Sequence, residues 1–63
     1  MSFINELKIR EGSILSDEKG EVKVLSLFGV LPNTIEVLAL DGEHEGQTGD
    51  LWKNKGDYTL VSY

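Results

Sequence analysis

Apolar and polar side chains alternate with a period of two along much of this chain. The alternation is clearest over residues 34–40, where Ile35, Val37 and Ala39 fall on one face and Glu36, Leu38 and Leu40 on the other. A period of two is the geometry of a β-strand, whose successive side chains point to opposite faces. Residues 21–30 carry the densest run of strand formers, with Val22, Val24, Leu25, Leu27, Phe28 and Val30, and read as the centre of a sheet. Alternation breaks between Val24 and Leu25, which predicts either a strand covered on both faces or a bulge that shifts the register. Ser13-Ile14-Leu15 reads as a short first strand and Leu51-Trp52-Lys53 as a brief fourth. Residues 58–63 form the last, with Tyr58 and Leu60 on one side and Val61 and Tyr63 on the other.

The segments between have turn chemistry. In Ser16-Asp17-Glu18-Lys19-Gly20 the Ser and Asp side chains can bond nearby backbone and Gly20 can take positive φ. Pro32 presets φ and Asn33 tolerates a left-handed conformation, which predicts a turn there. Residues 41–50 combine glycines with carboxylates and predict an exposed loop, and Asn54-Lys55-Gly56-Asp57 supplies a final tight turn. At the N-terminus, Phe3, Ile4 and Leu7 are spaced for one turn of amphipathic helix after Ser2 as N-cap, and an extended arm is the equal alternative. Five short strands with no long helical pattern predict an all-β meander in one domain. At this length a small five-stranded barrel fits best, because closure removes unpaired edges.

The opening of the chain, Arg10-Glu11-Gly12-Ser13-Ile14-Leu15 followed by Lys19-Gly20-Glu21-Val22-Lys23-Val24-Leu25, resembles the start of KOW-type and related SH3-like barrels. That resemblance implies an SH3-like fold and the nucleic-acid, ribosomal or transcription partners such barrels often have. The chain departs from the pattern in its charge, since Lys19 and Lys23 stand beside Asp17, Glu18 and Glu21. A formal charge of −5 repels a phosphate backbone at long range, so nucleic acid is disfavoured as a partner.

Size and composition narrow the function further. A chain of 63 residues buries only about 60% of the surface its unfolded form exposes. Without cysteine it has neither disulfides nor thiolate zinc sites to help it. Missing disulfides, an N-terminus unlike a signal peptide and the lack of a long apolar run predict a soluble cytoplasmic protein that does not enter a membrane.

Asp41, Glu43, His44, Glu45 and Asp50 are the densest group of metal-binding or proton-transfer types. Their spacing matches no calcium loop and reads as solvated surface, with a hard cation as the alternative. The single histidine, the missing cysteine nucleophile and the scattered glycines offer no catalytic or phosphate-binding arrangement, so neither an enzyme nor a bound metal or cofactor is expected.

The informative surplus is apolar. Both faces of the two central strands carry large aliphatic residues, whereas one small interior accepts one face. Cover for the other face comes from the Phe3-Ile4-Leu7 segment, a second copy of the chain in a homodimer, or another protein. Leu25, Leu27, Leu38, Leu40, Trp52 and Tyr58 are the residues expected to dock a protein partner, with Trp52 and Tyr58 alternatively capping the core. Short and acidic, such a chain suits an accessory protein of a phage or prokaryote that regulates or inhibits another protein.

Overall fold

The computed structural model describes residues 2–63. A single turn of 3-10 helix, Ile4–Glu6, precedes five strands: β1 (Ile14–Asp17), β2 (Gly20–Ser26), β3 (Thr34–Ala39), β4 (Thr48–Trp52) and β5 (Thr59–Ser62). All pair antiparallel in one sheet of order β4-β3-β2-β1-β5, so the last strand returns to lie beside the first.

Most of the predicted turns form by the expected chemistry. Asp17 Oδ1 accepts the Lys19 N–H at 2.8 Å, Gly20 has φ 134° and Asn33 has φ 60°. The strands, however, reach further into two of the polar segments than their residue types suggest. Ser16 and Asp17 extend β1 and pair with Glu21 and Gly20, while Thr48, Gly49 and Asp50 belong to β4 because each lies opposite a residue of β3. Pairing with a strong neighbour overrides weak local propensity.

The break in alternation at Leu25 is a bulge. Val24 lies opposite Val37 and Ser26 opposite Glu36, which leaves Leu25 as the extra residue. One added residue exchanges the faces of everything after it. Leu27 therefore packs against the core, and Phe28, two residues past the end of β2, turns outward. The expected strand over residues 21–30 thus stops at Ser26, and residues 27–33 form a loop.

The core consists of Ile4, Leu15, Val24, Ile35, Val37 and Tyr58, with Leu7, Ile9, Val22, Leu27, Leu51 and Leu60 packed around it. Ile4 is only 2% exposed and joins the inner core, so the N-terminal segment completes the interior and does not cover the outer face that carries Leu38 and Leu40. It combines an extended and a helical piece, but Phe3 and not Ser2 stands at the N-cap: Ser2 pairs as an extended residue with Tyr58, and in the turn that follows the Phe3 N–H donates to Glu6 Oε1 at 3.0 Å.

Hydrogen bonding does not close the sheet into a barrel, because β4 and β5 stand at its two edges. The N-terminal arm spans the gap instead. Ser2 exchanges two backbone hydrogen bonds with Tyr58, at 3.1 and 2.8 Å, and the Asn5 N–H donates to the Lys53 carbonyl at 3.0 Å.

Candidate functional site

The loop over residues 27–33 is held by polar groups and exposes apolar side chains. Hydrogen bonds to Ser26, Thr34 and Asp50 hold it. Ser26 Oγ accepts the Phe28 N–H at 3.2 Å and lies 3.1 Å from the Phe28 carbonyl, a serine turn that follows the bulge. The Gly29 N–H donates to the Thr34 carbonyl at 3.0 Å. Across the sheet, Asp50 Oδ2 accepts the Val30 N–H at 2.7 Å and the Leu31 N–H at 3.1 Å. The Thr34 hydroxyl donates to the Leu31 carbonyl at 2.6 Å and sits 3.3 Å from that same Asp50 oxygen. Hydrogen bonds to an ionised carboxylate are roughly twice as strong as neutral ones.

Gly29 is required by this closeness. A Cβ there would collide with Thr34 Oγ1 and approach the Asp50 carboxylate to 2.8 Å. Only a glycine lets the loop backbone lie against these two side chains.

The braced backbone carries Phe28, Val30 and Leu31 into solvent, the first two 81% and 87% exposed. Trp52, 42% exposed, lies opposite Thr34 at the end of β4. Two lysines border these aromatics: Lys53 Nζ is 5.5 Å from the Phe28 ring centroid and Lys55 Nζ 5.5 Å from that of Trp52. Arg10 lies 4.6 Å over the Tyr63 ring and its Nε donates to the Tyr63 carbonyl at 2.9 Å. The residues 28–31 and Trp52, with their two lysines, are called the tip below.

Of the residues expected to dock a partner, the structure brings only Trp52 to the tip. Leu38 and Leu40 lie on the outer face of the sheet, the former half-buried opposite Lys23 and Thr48, the latter exposed just past β3. Leu25 is half-buried at the bulge, Leu27 packs on the core, and Tyr58, 8% exposed, is part of it. Burial raises the Tyr58 phenol above its ordinary pKa, and the nearby Asp17 carboxylate adds to the effect. The sequence pattern places Phe28 and Val30 in a strand and Leu31 in a turn; the signal that separates them is the combination of a broken alternation, Gly29 and Pro32.

The acidic loop resolves into separate roles. Asp50 braces the tip, Asp41 Oδ1 accepts the Glu21 N–H at 2.8 Å, and His44 Nδ1 lies 3.2 Å from Gln47 Oε1. Among the described residues no three His, Asp or Glu side chains converge to hold a metal ion, and no helix is long and apolar enough to cross a membrane. No protein-family model, curated protein or solved structure matches the chain.

Proposed function

We propose that this protein is a small acidic interaction module, a regulator or inhibitor that docks on another protein through its tip. One observation carries this: a network of polar groups is spent on holding Phe28 and Val30 out in water. A loop with no partner would gain by folding those side chains back or by replacing them with polar ones. Burying each against a partner is worth about 1.5–3 kcal/mol, and a braced loop loses little conformational entropy when it binds. Trp52 supplies the aromatic anchor typical of interface centres. The lysines at the margin favour a recess bordered by carboxylates. The order β4-β3-β2-β1-β5, with β5 returning to β1, supports an SH3-like small barrel as the architecture behind this role.

A second reading, a nucleic-acid-associated barrel, draws support from the lysine–aromatic pairs, since stacked aromatics beside cations suit single-stranded nucleic acid. The overall charge of −5 opposes it.

A photo-crosslinking amino acid placed at position 28 tests both. In the native cell it should join one protein that untagged protein displaces and Phe28→Ser protein does not, whereas the same probe at exposed Glu45 should not join it. Equal crosslinking from both positions would contradict docking at the tip. Salt-sensitive binding of single-stranded nucleic acid, lost in the Lys53→Glu variant, would favour the second reading instead.

A further inference from the structure

At the other end of β4 from the tip, a groove of about 540 Å³ opens over the inner side of the sheet, between β4 and Tyr58. Its floor is apolar and continuous with the core, formed by Val22, Val37, Leu51 and Tyr58. Carboxylates of Asp17, Glu21 and Glu43 border it, against Lys19 and His44 as the cationic types. A cleft walled by one sign of charge over a low-dielectric floor concentrates ions of the opposite sign.

Two further features bear on what enters. Strand β4 is an edge: β3 pairs on one side and, among the described residues, no strand pairs on the other. An unpaired edge offers a row of backbone donors and acceptors to an incoming strand. Gly49, in the middle of β4, lies opposite Val37 and so faces the interior, and a Cβ built there meets nothing within 4 Å. The missing side chain leaves the groove open at that point.

We infer that this groove receives an extended basic segment of a partner protein. The segment adds to the free edge of β4, lays alternate apolar side chains on the floor and sets lysine or arginine side chains among the bordering carboxylates. The unpaired edge selects an extended peptide over a helix. The sign of the border selects a basic one. A second copy of this chain fits poorly, because each carries a formal charge of −5 and two copies repel. The groove shares Asp50 with the brace of the tip but none of the tip's exposed side chains, so binding at either can fail alone.

The test uses a fluorescein-labelled peptide of alternating lysine and valine, with a glutamate–valine peptide as control, followed by anisotropy and by amide NMR of the full chain. The basic peptide should bind more weakly as salt rises and should shift the amides of Gly20, Val22, Gly49 and Leu51. Gly49→Val, which fills the groove on an ordinary strand backbone without positive φ, should weaken binding by about tenfold or more. Glu21→Lys should do the same, and Phe28→Ser should have no effect. Because spectra of the free variants report folding separately, a natively folded Gly49→Val protein that binds like wild type would overturn the inference. So would equal binding of the acidic peptide, no binding at low salt, or a dimer of the free protein that Gly49→Val dissolves.

Discussion

Asp50 shows how one side chain can connect a strand to a distant loop. Its Oδ2 receives two backbone N–H groups from the loop over residues 27–33 and lies beside the buried Thr34 hydroxyl. Asp50→Ala strands those donors and should cost about 1–3 kcal/mol in urea unfolding, with amide exchange accelerating at Val30 and Leu31 well before it does in β2. Gly49→Val, next to it, should act in the opposite direction. A β-branched residue replaces a flexible one in a strand with room for it, and a gain of about 0.5–1 kcal/mol is expected in the free protein. If that variant is less stable than wild type, the space in front of Gly49 is not open.

Tyr58 makes stability depend on pH. Its phenol, raised by burial and then by Asp17, holds its proton in the folded state to a higher pH than in the unfolded chain, where it titrates near about 10. The contribution is therefore complete below that unfolded value and is lost as pH rises through the folded one. Wild type should lose stability relative to Tyr58→Phe as pH rises above about 10, and parallel urea midpoints for the two proteins on the alkaline side of that value would contradict the assignment.

Among the elements, the N-terminal arm matters beyond its length. Three residues of 3-10 helix would not form alone, and what fixes them is Ile4 in the core together with the backbone bonds of Ser2 and Asn5 to Tyr58 and Lys53. Ile4→Ala should cost about 2–5 kcal/mol, close to the whole stability of a domain this small. Thermal melts should show it largely unfolded, whereas Phe3→Ala, at an exposed neighbour, should stay within about 0.5 kcal/mol of wild type.

The same scale shows what could be read in advance. Strand β3 was legible from Ile35, Val37 and Ala39 because strict alternation leaves one register. The inward pair of Tyr58, just before β5, and Leu60 within it was legible from their spacing. The fate of Phe28 was not, because it depends on which residue the bulge leaves unpaired, and that is decided by pairing with Val37 and Glu36 on another strand. Asp50 was legible as a carboxylate in an acidic stretch, but its hydrogen-bond partners lie some twenty residues away in the chain.

For the molecule as a whole, the central physical fact is the contrast between a core barely large enough to fold and apolar side chains held away from it. Six buried apolar residues centre the interior, while Phe28, Val30, Leu31 and Trp52 stand outside on a braced frame. Interaction through the tip depends on that frame being rigid before any partner arrives. Backbone ¹⁵N relaxation of the free protein measures this directly. Order parameters at Phe28, Val30 and Leu31 near the rigid value of about 0.85 are predicted, matching β2 and β3, and values below about 0.6 would mean a loose loop with no prebuilt docking surface.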